Sequence, residues 1–468
     1  AVAELASRLH ADPLTLARHA RLGGDPAVAA RALVVGAEAA TDRFEAPTAE
    51  RLLDEAVELR DHPAARLARG RLRLARLDLD GARQDALAAI ELGAGVAGFE
   101  LAGWVAYYSR DYDTALRYAD EGVERSAEPG VRASCLALSG RIRHTRGRLV
   151  DAATRLEESV AIAPPGIRGM VQVWLAQLLA HTGQTDRAAD LASRAVLDPH
   201  LSHPFAWGHG RFTIAYAHGI AGRWAAALGA LDELDALASR QGDRRFPAVS
   251  ANVRGWLLRG AGQLDEAREL HEFAAGFDPG PTFQEARFAG LLDLAECDLA
   301  AGDVDEAAAG IDAAKGVLDW DGSMSWRHRN RYRLLADRLA AMDGDPLEAA
   351  ADARAVAAGA EDRGDRRYRH RGLLVAATIE ARSGVPVDLE SLARLVDDFV
   401  PLSGPDGWRD VAELAAATGS GLHGTMIARR FAAGLHTGPS VMASGGPAGA
   451  GRRRRPWRGR GRADRRPR

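Results

Sequence analysis

The sequence predicts an all-α protein built as an array of antiparallel helix pairs, and three observations support this prediction. The pattern G-x-[apolar]-x-x-A-x-x-x-[apolar]-x-x-A recurs along most of the 468-residue chain. Each copy follows a second amphipathic stretch of about fifteen residues, which is long enough for one helix. Successive copies are 33 to 42 residues apart. A period of this size is typical of helix pairs stacked in an array.

Small residues in each copy indicate where two helices approach closely. The pattern is centred on an anchor alanine, and the anchors are Ala49, Ala82, Ala115, Ala152, Ala188, Ala227, Ala267, Ala307 and Ala349. A glycine often lies twelve residues earlier, on the preceding helix, at Gly70, Gly103, Gly140 and Gly255. Because neither residue type has a bulky side chain, we expect the two helices of a pair to cross closely at these positions.

A second set of glycines predicts the turn inside each pair. These glycines lie five residues before the anchor, at Gly147, Gly183, Gly222, Gly262, Gly302 and Gly344. A tight turn after a helix needs a residue that tolerates positive φ, and glycine does so without strain. An apolar residue two positions later is expected to fill the turn, at Leu79, Tyr112, Leu149, Trp224, Leu264 and Val304.

The composition excludes several classes of protein. The chain is 47% hydrophobic, so we expect one continuous apolar core shared between neighbouring repeats. Its two cysteines, Cys135 and Cys297, lie in helical patterns and are expected to be small buried hydrophobes. No apolar run approaches the ~18 residues that a membrane span needs, and no signal peptide is evident, so we expect a cytoplasmic protein without a membrane partner. Because it begins at Ala1, the chain is expected to be a fragment or a processed product.

The charge divides the chain into two parts. Of 61 basic residues only Lys315 is a lysine, and ten arginines fall in the last eighteen residues, which carry +9. The rest carries −12, which does not suit a body that follows a phosphate backbone. We therefore predict a solenoid over 1–430 and a disordered Gly/Pro/Arg-rich tail over 431–468. Two interpretations of the tail stay open: a disordered segment without a selected function, or an arm that binds nucleic acid weakly or an acidic partner.

Signatures of enzymes and cofactors are weak or absent. A single lysine outside a glycine-rich turn excludes a GxxxxGK[ST] phosphate loop. The GAGVAG segment from Gly93 to Gly98 follows a predicted helix rather than a strand, which indicates a linker between repeats. The histidines His200, His203, His209 and His218 lack the spacing of a ligand set, so no metal and no cofactor are predicted. The run WRHRNRYR at 326–333 is interpreted as the solvated face of a helix.

The repeat unit resembles the tetratricopeptide repeat, whose usual length is 34 residues. The resemblance rests on the small residues, the turn glycine, the apolar residue after it, and terminal prolines such as Pro164 and Pro199. Later repeats are longer than the usual pattern. The resemblance implies a right-handed superhelical array with about nine to ten repeats.

A more specific resemblance covers residues 10–420. The segments LARHARLGGDPAVAARALVVGAEAATDRFEAPTAERLLDEAVEL and GWRDVAELAAATG resemble the helical-repeat middle of large ATP-binding LuxR-type transcriptional regulators of the MalT kind. In that family an ATPase precedes the array and a helix-turn-helix that binds DNA follows it. No positions of this chain match the residues of either flanking part.

If the array is tetratricopeptide-like, its concave face is lined by the first helix of each pair. Counting back 7, 8, 11, 15 and 18 residues from each anchor selects the candidate binding residues. They are Trp104, Tyr107, Tyr108, Arg141, His144, Gln177, His181, His209, Phe212, Tyr216, Asn252, Trp256 and Arg259. Aromatic rings interleaved with hydrogen-bonding groups suit a peptide, a protein segment or a small-molecule inducer. The alternative is that several of these rings pack between repeats.

Two functions therefore remain open. The first is a non-catalytic signal-sensing and interaction scaffold, the effector- or partner-binding region of a LuxR/MalT-type regulator, in which DNA is bound by parts outside this chain. The second is a free-standing tetratricopeptide-like adaptor unrelated to transcription. An enzyme is not predicted.

Overall fold

The computed structural model of the protein describes residues 12–43, 45–201, 204–241, 243, 245–277, 285–317 and 324–421. The first eleven helices are α1 (Pro13–Leu22), α2 (Pro26–Asp42), α3 (Ala46–Leu59), α4 (Pro63–Ala75), α5 (Leu79–Glu91), α6 (Val96–Tyr108), α7 (Tyr112–Arg125), α8 (Pro129–Thr145), α9 (Leu149–Ile162), α10 (Pro165–His181) and α11 (Thr185–Val196). The remainder are α12 (Pro204–Ile220), α13 (Trp224–Gln241), α14 (Arg245–Gly260), α15 (Leu264–Ala275), α16 (Glu285–Ala301), α17 (Val304–Val317), α18 (Ser325–Asp343), α19 (Pro346–Arg363), α20 (Arg366–Arg382), α21 (Leu389–Phe399) and α22 (Gly404–Thr418). A 3₁₀ turn, Val400–Leu402, precedes α22.

Twenty of these helices form ten consecutive pairs, from α2 and α3 to α20 and α21. This confirms the predicted all-α array and its number of repeats, and no strand occurs in the described ranges. The first helices of successive pairs pack against one another, whereas the second helices scarcely meet. The array therefore curves with its first helices on the inside. We call the surface formed by the even-numbered helices α2 to α20 the inner face.

The turn glycines adopt the predicted backbone conformation at five of six positions. Gly147, Gly183, Gly222, Gly262 and Gly302 have φ between 76° and 88°. Gly344 is an exception because its φ is −124°, and the expectation of positive φ there was wrong. At that turn Asp345 caps the N-terminus of α19, because its side chain accepts hydrogen bonds from the first amide groups of the helix. The apolar residues expected after the turns all begin second helices.

The predicted close crossings are also present. A Cβ atom added at Gly140 would lie 2.7 Å from Leu156 Cγ and 3.3 Å from the carbonyl oxygen of the anchor Ala152. The equivalent Cβ at Gly255 would lie 3.0 Å from the carbonyl oxygen of the anchor Ala267. All nine anchor alanines are buried. The small residues thus bring paired helices into backbone contact, as the sequence pattern predicts.

Replacing Gly290 with alanine tests such a crossing between repeats. The new Cβ would lie 2.7 Å from Ala275 N and 2.9 Å from His271 O. Because these are backbone atoms, α16 must move away from α15, and we expect a loss of about 1–3 kcal/mol in the free energy of unfolding. Urea unfolding followed by circular dichroism measures this change. The control is Gly229→Ala within α13, where no atom lies within 4 Å and a gain of about 0.5–1 kcal/mol is expected. Equal effects of the two substitutions would contradict the close contact.

The interior differs from the continuous apolar core that the composition predicted. The largest apolar cluster extends from Trp104 to Leu257 and also includes Met324 and Trp326. Smaller apolar clusters lie at both ends of the array, one of them around Leu374, Phe399 and Leu414. Buried arginines and carboxylates occupy the space between α14, α16, α18, α20 and α22. The expectation was therefore wrong, because ion pairs fill much of the interior in the second half of the chain.

The last helix folds back onto the middle of the array. Helix α22 contacts α20, the last first helix of the array, and also α12 and α14 on the inner face. Leu402 packs on Gly183, Pro405 packs on Gly260, and the ring of Trp256 lies against Gly404. Each of these contacts joins residues more than 140 positions apart. The two regions are therefore held together by tertiary contacts rather than by stacking of successive repeats.

Several other expectations concern single features. Cys135 and Cys297 are buried as predicted, and burial raises their thiol pKa values to about 12 and about 11. Over the described ranges, no helix combines the length and the apolar character that crossing a membrane requires. The predicted tail at 431–468, and the boundary at 430, lie outside the described residues.

Candidate binding site on the inner face

The thirteen candidate residues all lie on five successive first helices, α6, α8, α10, α12 and α14. Nine are buried, and these are Trp104, Tyr107, His144, Gln177, His181, Tyr216, Asn252, Trp256 and Arg259. The other four, Tyr108, Arg141, His209 and Phe212, are half-buried. The inner face is therefore a closely packed layer with a few partly accessible side chains. A role of these residues in binding stays a prediction.

Aromatic rings connect the helices of this layer. The Trp104 ring lies 5.0 Å from the Trp174 ring, and Trp104 Nε1 donates a hydrogen bond to Ser134 Oγ at 2.9 Å. Further along, the Tyr216 ring lies 5.8 Å from Trp256 and 6.0 Å from Phe212. Ring pairs at these separations stabilise packing by about 0.5–1.5 kcal/mol beyond the burial of their area. The aromatic residues thus pack between repeats, which is the alternative that the sequence left open.

Two buried histidines lie at the centre of the inner face. His144 Nε2 and His181 Nδ1 are 2.8 Å apart, so one ring donates a hydrogen bond to the other. Burial, and then the positive charges of Arg141 and Arg327, hold both pKa values well below the usual value of histidine. Both rings are therefore neutral at pH 7.

The basic-aromatic run at 326–333 is largely buried, so its interpretation as a solvated face was wrong. Trp326, His328, Asn330 and Arg331 are all buried at the start of α18. Trp326 Nε1 donates a hydrogen bond to His144 O at 3.1 Å. The run faces inward because α18, a first helix of the array, brings its N-terminal turns against α8 and α10. The single-sequence pattern could not show this contact, which spans 182 positions.

Arg141 and Arg327 are placed near this histidine pair. Arg141 Nη1 donates to Gln177 Oε1 at 2.7 Å, and its guanidinium carbon lies 5.7 Å from the centre of the Trp174 ring. Arg327 Nη2 donates to the Tyr216 hydroxyl at 3.3 Å, with its guanidinium carbon 5.5 Å from the centre of that ring. Both side chains are half-buried. They give the centre of the inner face a positive charge.

A large cluster of buried charges, which we call the buried ion network, joins α22 to the array. Its arginines are Arg259, Arg331, Arg338, Arg367, Arg371 and Arg409, and its carboxylates are Asp293, Glu296, Asp406, Asp410 and Glu413. These residues come from α14, α16, α18, α20 and α22. The network carries one more positive than negative charge when every member is ionised.

Asp406 links α22 to two first helices of the array, α14 and α20. Its Oδ1 accepts a hydrogen bond from Arg259 Nη2 at 2.8 Å, and its Oδ2 accepts one from Arg367 Nη2 at 2.8 Å. Arg371 Nη1 lies 3.6 Å from the same Oδ2. Burial tends to raise the Asp406 pKa, but the surrounding guanidinium groups more than offset this effect and lower it. Asp406 is therefore ionised and fixes the first turn of α22 between α14 and α20.

The inner carboxylates of α16 are held in the same way. Asp293 and Glu296 accept hydrogen bonds from Arg259 and Arg331. Burial alone raises the pKa values of both carboxyl groups, and the two arginines reverse the effect, so both values lie below the ordinary range. This part of the inner face is thus filled by internal ion pairs.

Of the four histidines considered as metal ligands, His200, His209 and His218 lie within the described residues. His218 Nδ1 accepts a hydrogen bond from Arg223 Nε at 2.9 Å, and burial lowers its pKa to about 4. His203 lies outside the described residues. Over the part of the chain that the structure describes, no three histidine, cysteine or carboxylate side chains form a group that could hold a metal ion.

Four inner-face residues were missed by counting from the anchors. Trp174 lies fourteen residues before Ala188, between the counted offsets of eleven and fifteen. Glu285, Trp326 and Arg327 lie at the starts of α16 and α18, before the counted positions. A signal for two of them was present, since the run at 326–333 places a tryptophan beside arginine in a helix start.

Comparisons with known proteins find similarity only to solved structures, and at low sequence identity. No protein-family model matches the sequence, and no curated protein matches it. The apo form of RapI is similar at 9% identity, covering 80% of this chain and 99% of that one, with a TM-score of 0.43. The apo form of the quorum sensor NprR from B. thuringiensis is similar at 12% identity, covering 75% and 97%, with a TM-score of 0.45. A Rap protein complexed with competence and sporulation factor is similar at 12% identity, covering 79% and 99%, with a TM-score of 0.48.

These scores are too low to carry an argument about function. The helix pairs, turn glycines and anchor alanines define the class of fold, a tetratricopeptide-like α-solenoid. The resemblance to MalT-type regulators stays a prediction.

Proposed function

We propose that this protein is a non-catalytic sensing and interaction scaffold whose inner face binds a peptide or a segment of a partner protein. The observation that supports this most is the meeting of α8, α10, α12 and α18 around half-buried aromatic and basic side chains. Rigid aromatic rings with arginine beside them are the groups that contribute most to recognition of peptides and proteins.

The position of this region also suits a sensor. Trp326 and Arg327 of α18 contact α8 and α12, while α22 is held on α12 and α14. A ligand placed among these helices touches the middle of the array and a helix from its second half. Its binding therefore favours one relative position of the two regions, which is how a ligand shifts a conformational equilibrium.

A displayed random-peptide library tests this function, with Phe212→Ala as the diagnostic variant. Phe212 is half-buried on the inner face and stacks on Tyr216. We expect peptides selected on the protein to bind Phe212→Ala at least about tenfold more weakly, because one aromatic contact of about 1.4 kcal/mol is lost. The matched control is Phe273→Ala on α15, a phenylalanine 54% exposed on a second helix, which should bind as the unsubstituted protein does. Failure to select any peptide, or equal losses for both variants, would contradict the proposal.

We further propose that the scaffold is the effector- or partner-binding region of a LuxR/MalT-type transcriptional regulator. This rests on the sequence resemblance over 10–420 alone. The alternative is a free-standing adaptor. Reading the coding DNA on both sides of this sequence distinguishes them, since a regulator requires a phosphate loop upstream and a helix-turn-helix downstream. Absence of both would favour the adaptor.

A further inference from the structure

Among the inner-face arginines that stack on aromatic rings, Arg141 and Arg327 differ from Arg211 and Arg367. Arg211 lies over the Trp207 ring and is paired with Glu233 at 2.8 Å. Arg367 lies over the Trp256 ring and is paired with Asp406. In contrast, Arg141 and Arg327 make their hydrogen bonds to neutral groups, an amide and two phenol hydroxyls. Within the described residues, neither forms an ion pair with a carboxylate.

The two guanidinium groups belong to one region. Arg141 lies one turn before His144 on α8, and Gln177, which accepts its hydrogen bond, lies one turn before His181 on α10. The Tyr216 ring lies 5.6 Å from His181 and beneath Arg327. Trp326, the residue before Arg327, is bonded to His144 O. Contacts thus lead from one arginine to the other across α8, α10, α12 and α18.

The charges facing these arginines do not neutralise them. His144 and His181 are neutral, and burial with a contribution from Arg141 lowers the His209 pKa to about 3. Two carboxyl groups lie near these arginines, Glu285 at the start of α16 and Asp365 just before α20. Burial raises the pKa of Glu285 although Arg327 and Arg141 act in the opposite direction, and burial raises the pKa of Asp365 to about 6 although Arg327 again acts in the opposite direction. With both carboxyl groups protonated the region carries a net charge of +2, and with one of them ionised it carries +1. Half-buried like charges destabilise a folded protein unless a counter-charge is present.

We infer that Arg141 and Arg327 together bind a carboxylate of a peptide ligand, supplied by an acidic side chain. The inference rests on the proposed function and names the ligand group that the inner face selects. A single negative charge matches the net charge of the region better than a doubly charged phosphate does. Guanidinium donors form stronger hydrogen bonds to a carboxylate than to neutral acceptors. The rings of Trp174, Tyr107 and Tyr216 provide apolar contacts for the residues beside that carboxylate.

Selection from a displayed random-peptide library, carried out in parallel on the full chain and on its variants, tests the inference. Peptides selected on the protein should be enriched in Asp and Glu. Replacing the acidic residue of a selected peptide with its amide should weaken binding at least about tenfold, which corresponds to one charged hydrogen-bond pair. Arg141→Gln and Arg327→Gln should each lose the preference for the acidic peptide. The matched control is Arg211→Gln, in which an arginine that stacks on tryptophan but already has a carboxylate partner is removed.

Melting temperatures separate a binding role from a structural one. Without ligand, Arg141→Gln and Arg327→Gln should melt at the same temperature as the protein or higher, because repulsion between the two cations is removed. The selected acidic peptide should raise the melting temperature of the protein but not that of either variant. If both variants melt well below the protein, the arginines are structural and the inference is wrong.

The other possible results of the peptide selection also test the inference. If peptides bind without acidic enrichment, or bind the arginine variants equally well, the inference fails while the proposed function stands. If no peptide binds, the proposed function fails as well. Inorganic phosphate is the second probe. If phosphate stabilises the protein only when both arginines are present, and acidic peptides are not preferred, the group bound by the arginines is a phosphate and not a carboxylate.

Discussion

The substitution Asp406→Asn is expected to lower the free energy of unfolding by about 3–5 kcal/mol, since removing one member of a buried ion cluster leaves its partners uncompensated. Asp406 accepts hydrogen bonds from Arg259 and Arg367 and lies beside Arg371. Asparagine keeps the size of the side chain and one acceptor oxygen but loses the charge. The network, which already has one excess positive charge, then has two.

The same substitution should loosen α22 specifically. Gly404 lies against the Trp256 ring, and Asp406 is two residues later. We therefore expect faster proteolysis near 404–418 under native conditions, together with changed tryptophan fluorescence. Urea unfolding followed by circular dichroism gives the change in stability.

The control is Asp113→Asn. Asp113 pairs with Arg146 at 2.7 Å, but its side chain is 88% exposed. Exposed pairs contribute little, so a change below about 0.5 kcal/mol is expected. Should Asp406→Asn unfold at the same urea concentration as Asp113→Asn, the network would not hold α22 on the inner face.

A second large effect is the loss of stability on mild acidification. His144, His181, His271 and His328 are buried with lowered pKa values, to about 4 for His271 and about 3 for His328. Burial is the main cause in each case. In the unfolded chain these groups take up protons near pH 6.5, whereas in the folded protein they stay neutral. Their contribution is therefore complete above pH 6.5 and is lost as the pH falls toward 4.

Carboxyl groups whose pKa values are raised by burial act in the opposite direction, and Glu285 is one of them. Burial raises the pKa of Asp337 to about 7, with a further contribution from Asp352, and burial raises that of Asp365 to about 6. In the folded protein they bind protons over the same window, while in the unfolded chain they stay ionised down to pH ~4. The histidines with lowered pKa values, which also include His209 and His218, outnumber the carboxyl groups with raised values, so the unfolded chain binds more protons than the folded protein. The free energy of unfolding should thus fall as the pH falls from 6 to 4.5, by about 1.4 kcal/mol per pH unit for each excess proton.

Urea unfolding at a series of pH values measures this slope. His271→Gln should reduce this slope by about 1.4 kcal/mol per pH unit, which is the contribution of one proton. The reduction in slope is independent of any change in stability at pH 7. His19→Gln, on an exposed side chain of α1, is the matched control. A stability that is constant or rises from pH 6 to 4.5 would show that the buried histidines do not govern the acid response.

Local features of the fold were predictable because their causes are local. A glycine five residues before an anchor alanine specifies a turn, and Gly147 and Gly183 have the positive φ that such a turn uses. Gly140 and Gly255 could be assigned to crossings for the same reason, since partner helices adjoin in sequence. Gly344 shows the limit, because Asp345 supplies a different way to begin the next helix.

The residues that fill the inner face could not be predicted in this way. Arg259 and Asp406 are 147 positions apart, and nothing in either repeat indicates that they meet. The run at 326–333 has the charge expected of a solvated helix, and only carboxylates from α16 make Arg331 a buried residue. Sequence periodicity determines which face of a helix points inward. It does not determine which distant helix covers that face.

The return of α22 to α12 and α14 changes how the array should respond to stress. In an open solenoid each repeat touches only its neighbours, so repeats can melt one after another from a free end. Here α22, the last helix of the described residues, is held on the middle of the array, and the repeats from α12 to α22 form a closed loop of contacts. No repeat in that loop can unfold without breaking the contacts of α22 with α12 and α14. The second half of the molecule should therefore behave as one cooperative unit in hydrogen exchange, while α1 to α5 exchange independently of it.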